Sequence, residues 1–332
     1  MGHLMAVVPL EANQVPMYSR ILADADLDGL MGAALLKAFR PEATVKFSHA
    51  AAVRGGLESA YINASTVMVD LPFDPACGWY IDHHATNRPT KEEETAFVQA
   101  GGAVDWAPAP SAARVVHDLL QNVTPVDHLT DLMPWVDALD SGGISLEEFR
   151  ADGPALQFSR CCSLRHEAIM HRIVSMFAQG ADFETVMADP EVAALVAVKV
   201  DERQVAEAAV AAHTTLHDRL AVCRLEDTDL RINGYIVTAW AGERADACCV
   251  VHGYTDGDAS NRERPPLGAS FYANSFLPGA QGTYDLSRMA TSLDPNGGGH
   301  RNACGCRVQP PGLDDNLQHW LGMWYDRDRL LR

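Results

Sequence analysis

The sequence predicts an α/β chain of two domains: an N-terminal parallel sheet with helices on both faces, joined by a long helix to a smaller mixed α/β domain. Three observations carry this. Tyr18–Ala23 has strand character and runs through the acidic turn Asp24-Ala25-Asp26-Leu27-Asp28-Gly29 into the small, apolar stretch Leu30–Phe39, the pattern of an opening βα unit. Two later β-rich runs, Ser65–Asp70 and Gly78–His84, end on acids and imidazoles. Beyond an Ala/Val-rich helical stretch at 191–220 the texture changes to short strands and helices. A chain of 332 residues is long enough for two cores. The expected division is 17–190, a connector at 191–220, and 221–332.

The elements follow in order. Val45–His49 reads as a second strand. The run Ser65-Thr66-Val67-Met68-Val69-Asp70 is stopped by Pro72, and Gly78-Trp79-Tyr80-Ile81-Asp82-His83-His84 is the next strand. Ser111 is placed to cap a helix through Ala112–Leu120. Leu132–Gly143 brings Asp137 and Asp140 before a glycine turn. Residues 161–188 read as helical. Leu220–Arg224, Gly234–Trp240 and Leu267–Tyr272 read as strands, Ala245–Tyr254 and Leu286–Leu293 as helices, and Gly257–Pro266 as a surface loop. Gly297-Gly298-Gly299-His300 reads as a turn whose backbone amides are free to approach an anion, with His300 adding a donor; glycine runs are also common in plain turns.

Composition narrows the functional classes. Nearly half the residues are hydrophobic and no tract is of low complexity, so the chain is globular. A net charge of −18 argues against a long basic groove for duplex nucleic acid, but not against a small anionic substrate held by metals and local donors. No segment is apolar for long enough to span a membrane, and no secretory leader is expected. Met1-Gly2-His3-Leu4 reads as added residues ahead of a native start at Met5. The eight cysteines include adjacent pairs and no C-x-x-C, which suits small buried residues in a reducing cytoplasm better than a disulfide framework. A zinc site from Cys304, Cys306 and His300 is the alternative for that segment.

The acidic turn is the densest chemistry. Three carboxylates in five residues repel unless a cation holds them, and oxygen ligands suit Mg2+ or Mn2+. Plain helix capping by Asp28 is the simpler reading. A calcium loop of the EF-hand type fails, because its twelfth position would be Leu35 rather than Glu. The strand-end acids and Asp82-His83-His84 lie along one predicted sheet edge, where α/β folds bind ligands. Neighbouring side chains on extended backbone point apart, so one of His83 and His84 is expected to bind metal and the other to face substrate or support the site; a plain surface pair is the alternative.

Taken in order, D-x-D-x-D-G, the strand-end Asp70, Asp82-His83-His84, Asp140-Ser141-Gly142-Gly143 and Gly297-Gly298-Gly299-His300 resemble the DHH phosphoesterase superfamily with its DHH-associated C-terminal domain, the group of nanoRNases, oligoribonucleases, 3′-phosphonucleotide phosphatases and RecJ-like exonucleases. The resemblance spans about residues 18 to 308. It implies a hydrolase with two divalent ions, manganese before magnesium, in the N-terminal domain. Asp26 and Asp28 would each hold one ion, Asp70 would bridge both, and His83 and Asp140 would complete the second site. Asp82, His83 and His84 form the catalytic triplet, with His84 facing the scissile phosphate. Gly297, Gly298, Gly299 and His300 would grip substrate. Two positions depart from the pattern: Leu22 stands where many small-substrate members carry a histidine, for which Asp24 would substitute, and Tyr272 stands where many carry an arginine.

The expected activity is hydrolysis of phosphodiesters or phosphomonoesters in short oligonucleotides, dinucleotides or 3′-phosphonucleotides, by a homodimer or monomer with no membrane and no long duplex as partner. A phosphoanhydride hydrolase acting on polyphosphate or pyrophosphate fits the same carboxylates. A non-catalytic nucleotide sensor is the further alternative.

Overall fold

The computed structural model describes residues 7–261 and 263–332. The expected added residues before Met5 lie outside them. The chain divides into two compact units. One holds the residues to Ile144 and Asp152–Lys199; the other holds Ser145–Ala151 and Val200–Arg332.

The first unit is built on a five-stranded parallel sheet. Its strands are β1 (Arg20–Asp24), β2 (Thr44–Ser48), β3 (Thr66–Val69), β4 (Trp79–Asp82) and β5 (Ala103–Trp106), in the order β2-β1-β3-β4-β5. The central strands are buried on both faces, as parallel strands under crossover helices must be. Alternate residues point to opposite sides. Leu22, Met68 and Tyr80 pack with Val53 of α2 (Ala50–Arg54) and Phe97 of α3 (Lys91–Gln99). On the other side Val69 meets α1 (Leu27–Phe39), where a side chain at Gly32 would come within 2.9 Å of it, beside Val116 of α4 (Ala112–Leu120). Each large apolar side chain buried in this way contributes about 1.5–3 kcal/mol.

Helix α1 starts where the acidic turn dictates. Asp26 is its N-cap and accepts the Gly29 amide at 2.9 Å. A Cβ at Gly29 would lie 2.3 Å from the Asp24 carbonyl, so the turn closes only on glycine. Ser111 caps α4 through the Arg114 amide, as its sequence position predicts. The remaining helices of this unit are α5 (Met133–Asp140), α7 (Pro154–Ser159), α8 (Glu167–Ala178) and α9 (Phe183–Ala188); the expected continuous helix over 161–188 is therefore broken, with Gly180 at φ 89° ending α8. The short α6 (Leu146–Ala151) belongs to the second unit, and α10 (Pro190–His213) has residues in both.

The second unit carries a mixed sheet of β6 (Thr214–His217), β7 (Leu220–Arg224), β8 (Ala247–His252), β9 (Gly268–Ala273), β10 (Gly298–His300) and β11 (Ala303–Arg307), in the order β10-β11-β9-β8-β7-β6. Only β7 and β8 run parallel. One face packs on α12 (Ser287–Thr291) and α13 (Leu313–Tyr325), with Trp320 and Trp324 fully buried; α14 (Arg327–Leu330) follows. The other face packs on α11 (Gly234–Ala241) and the end of α10. Four expectations are corrected here. Gly234–Trp240 is helix, not strand, and starts on the Asn233 cap. Residues 245–254 are not a helix: Ala247–His252 is β8, buried between β7 and β9. The connector helix ends at His213 and the chain continues as β6, short of residue 220. Gly297–His300 is not a free turn, because Gly298–His300 pairs with β11 as an edge strand, and amides facing that partner serve the ladder.

All eight cysteines are free. Cys304 and Cys306 pack with the apolar cluster beneath α12 and α13, and among the described residues no metal-ligating group includes them with His300. No helix among the described residues is long and apolar enough to cross a membrane.

Candidate metal and catalytic centre

The C-terminal ends of β1, β3 and β4 bring the acids together. Asp24 closes β1, Asp70 follows β3, and Asp82 closes β4 with His83 and His84 beyond it. Asp140 arrives from the last position of α5. Asp70 is held at φ 59°, in the left-handed region that aspartate tolerates better than most residues.

His83 sits at the middle. Its Nδ1 is 3.0 Å from the Ala109 carbonyl. Nδ1 donates its proton there, and Nε2, which carries a lone pair when the ring is neutral, points at carboxylates. It lies 3.1 Å from Asp140, 3.7 Å from Asp28 and 4.0 Å from Asp70. Both His83 Nε2 and Asp70 Oδ1 are buried and have no hydrogen-bond partner. His84 lies over the other side of Asp70. Its Nδ1 is 3.1 Å from Asp82 and 3.3 Å from Asp70, and its side chain is 43% exposed. That leaves Nε2 for a substrate.

Asp82 is fully buried beneath the two histidines. Its Oδ1 accepts the backbone amides of His83 and His84, and its Oδ2 accepts the Tyr80 hydroxyl. It fixes the loop that presents both rings. Burial alone would raise its pKa; the bonds from His84 and Tyr80 outweigh that and lower it.

Asp28 is also buried, with both oxygens on the N-terminus of α4: the amides of Ala112 at 2.7 Å and Ala113 at 2.6 Å. Those amides hold the carboxylate while leaving lone pairs toward His83. Asp24 accepts the Ala25 amide at 2.6 Å. Asp137, by contrast, is in neither set of neighbouring ligand atoms: it takes the Arg114 guanidinium at 2.6 Å and the Ser111 hydroxyl at 2.7 Å, tying α5 to the start of α4.

The electrostatics report an excess of negative charge. Burial, then the neighbouring Asp26, push the Asp24 carboxyl up to about 7. Burial and the facing carboxylates push Asp28 and Asp70 well above the usual range. Burial works against the His83 imidazolium, yet Asp140 and Asp28 hold its pKa up at about 9. Two overlapping sets of candidate ligands result: Asp70, Asp82, His83 and His84, and Asp28, His83 and Asp140. Divalent cations would relieve this charge, and the partnerless Asp70 and His83 atoms fit ligands of such ions.

Gly297, Gly298, Gly299 and His300 lie in the second unit, with His300 exposed on the edge strand. Tyr272 packs its ring where a side chain at Gly234 would stand, so it serves the core under α11. The residues that sequence reading missed are the Ala109 carbonyl and the α4 amides. The Ser111 cap marked where α4 begins, but nothing local to it pointed to Asp28.

No protein-family model and no curated protein sequence matches the chain. Solved structures do. A pGpG-specific phosphodiesterase, PggH from Vibrio cholerae, is 17% identical; the match covers 93% of this chain and 99% of that one, with a TM-score of 0.74. RecJ from Thermus thermophilus, in complex with Mn2+, is 14% identical, with 92% of this chain and 52% of that one covered and a TM-score of 0.50. At these identities the likeness is one of fold.

Proposed function

The chain has the fold of the DHH phosphoesterases, and from that premise we propose that it is a metal-dependent hydrolase of short nucleotide phosphoesters. The observation that carries the reading is the pair of buried, partnerless atoms, Asp70 Oδ1 and His83 Nε2, set 4.0 Å apart among carboxylates whose protons are held too tightly for their type. Two divalent ions, manganese before magnesium, are proposed for it. Asp70 would be shared between them; Asp26 and Asp28 would each hold one, with Asp24 beside the first and His83 and Asp140 completing the second. When bound, such ions neutralise phosphoryl oxygens and make water acidic enough to attack at neutral pH.

The chain's own groups do the rest. The Ala109 carbonyl and the α4 amides keep His83 and Asp28 in place, so little reorganises as charge develops. Asp82 accepts the His84 Nδ1–H and so orients the ring; in its imidazolium form the ring donates from Nε2 to a phosphoryl oxygen or to the departing alkoxide. Water adds to phosphorus, the P–O ester bond breaks, and the alcohol leaves with a proton. The net charge of −18 favours small substrates over long duplexes, since an acidic surface repels a polyanion. The proposed class is dinucleotides, short oligonucleotides and 3′-phosphonucleotides; the name of the Vibrio protein supports a dinucleotide at the head of it.

The test is a panel of linear dinucleotides, cyclic dinucleotides, 3′-phosphoadenosine phosphate and polyphosphate, each with manganese and with magnesium. Turnover of a linear dinucleotide or phosphonucleotide that EDTA abolishes and manganese restores is expected. Phosphate release from polyphosphate alone would move the reading to phosphoanhydrides. Saturable nucleotide binding with no turnover would move it to a sensor.

A further inference from the structure

We propose that Trp106 and Arg88 form a nucleobase-stacking subsite beside the scissile position, a reading that rests on the phosphoesterase function above and names where its substrate binds. Trp106 ends β5 and is paired in register with Asp82, so it occupies the next place along the sheet edge from the catalytic loop. Its indole Nε1 donates to the His84 carbonyl at 3.0 Å. That carbonyl also accepts the Asn87 amide, closing the turn that leads to Arg88. The turn is anchored again at Asn87, which Arg54 and Tyr80 both bind. The ring is thereby fixed by one hydrogen bond to the residue that faces the phosphate.

The chemistry of this corner suits a base and its phosphate. The Arg88 guanidinium carbon lies 4.2 Å from the Trp106 ring centroid. Arg88 is exposed and Trp106 is partly so. In a chain with 44 acidic residues against 26 basic ones, Arg88 has no carboxylate partner among the described residues. It lines two neighbouring cavities of about 460 and 620 Å³, the first floored by Trp106, Ala107 and Pro108. The guanidinium covers this ring face in the free protein, and a base would take its place as Arg88 turns to the adjoining phosphate, the combination of aromatic stack and cation with which proteins hold unpaired bases. Stacking accepts any base, so the subsite would set preference for a nucleoside flanking the cleaved bond over a bare phosphate ester without dictating sequence.

The experiment compares the intact manganese-loaded chain with Trp106→Ala, Trp106→Phe and Arg88→Ala. The readout is the ratio of kcat/KM for a ribodinucleotide to that for the same compound with one base removed. Trp106→Ala is expected to collapse that ratio by roughly tenfold, and Arg88→Ala to lower it in the same direction. Trp106→Phe, which keeps a ring but loses the N–H to His84, is expected to retain it. An unchanged ratio in Trp106→Ala or in Arg88→Ala overturns the subsite, as does an equal loss in Trp106→Phe, which would assign the effect to the His84 tether. A second readout needs no turnover: a nucleoside monophosphate should quench tryptophan fluorescence in the metal-free wild type and lose most of that quench in Trp106→Phe. If the wild type hydrolyses neither compound, the phosphoesterase reading fails and the quench alone decides the subsite; no nucleotide-dependent quench in the wild type then rejects it.

Discussion

Asp70 concentrates several demands in one side chain. Its backbone is left-handed, its carboxyl is buried, and its Oδ1 lacks a partner while His83 and His84 lie within 4.0 Å. A group shared by two ions should be the most sensitive in the site. Asp70→Ala is expected to lower turnover by on the order of a hundredfold or more and to lower bound manganese measured by elemental analysis. Wild-type metal content with wild-type turnover would sink the bridging role. The same charge crowding gives a pH signature in the metal-stripped protein. Burial and Asp26 push Asp24 up to about 7, and Asp140 and Asp28 hold His83 up at about 9 against its burial, from ordinary values of 3.8 and 6.5. A folded-state pKa above the unfolded one means stability is present at low pH and lost as pH rises through the folded value. His252, which burial and Arg231 depress below 6.5, is already neutral above pH 7 and adds no slope there. The Asp24 contribution is lost between about pH 4 and 7 and that of His83 between about 6.5 and 9, so from pH 7 to 9 His83 makes the metal-free Tm fall, and manganese is expected to raise Tm more at pH 8.5 than at pH 7. Differential scanning fluorimetry checks this; an equal or smaller metal effect at pH 8.5 contradicts it.

At the scale of elements, the site depends on where α4 and α5 begin and end. The N-terminus of α4 holds Asp28, and the Ser111–Arg114–Asp137 bracket ties α5 to it, which sets the position of Asp140 three residues beyond Asp137. Asp137 thus supports the helix, whereas Asp24 faces the acidic group. Asp24→Asn is expected to weaken manganese affinity more than Asp137→Asn in a calorimetric titration. Asp137→Asn is expected to cost stability instead, about 1–3 kcal/mol for loss of a charge-assisted bond. The reverse ranking in metal affinity would place Asp137, not Asp140, nearer the ions.

At the scale of the molecule, two units with separate sheets and cores divide the residues singled out above. The acids and the His83–His84 pair belong to the first. Gly297–His300 belongs to the second, contains no carboxylate, and offers an imidazole on an exposed edge strand. His300→Ala is expected to leave bound manganese, measured by elemental analysis, unchanged. Loss of metal would put His300 among the metal ligands.

Much of this centre was legible in the chain. Asp24, Asp70 and Asp82 close or follow short β-rich runs, and parallel strands present their carboxyl ends at one edge, so local pattern places these acids together. The Ser111 cap was equally local. Other features needed the fold. The amides that hold Asp28 come from 84 and 85 residues away, and the carbonyl that orients His83 from 26. Asp82 stands in the same motif as the histidines, yet only packing shows that it lies beneath them with its oxygens spent on Tyr80 and the loop. The exchange of helix and strand between residues 234 and 254 has the same origin. Both runs are short and apolar throughout, and neither carries a decisive period. Ala247–His252 became strand because β7 and β9 each supply it a partner, and Gly234 opens a helix because the Tyr272 ring fills the space a side chain there would need. Local sequence determined which residues carry charge and where strands stop; long-range pairing decided which backbone groups those charges meet, because a hydrogen bond depends on proximity in space and not along the chain.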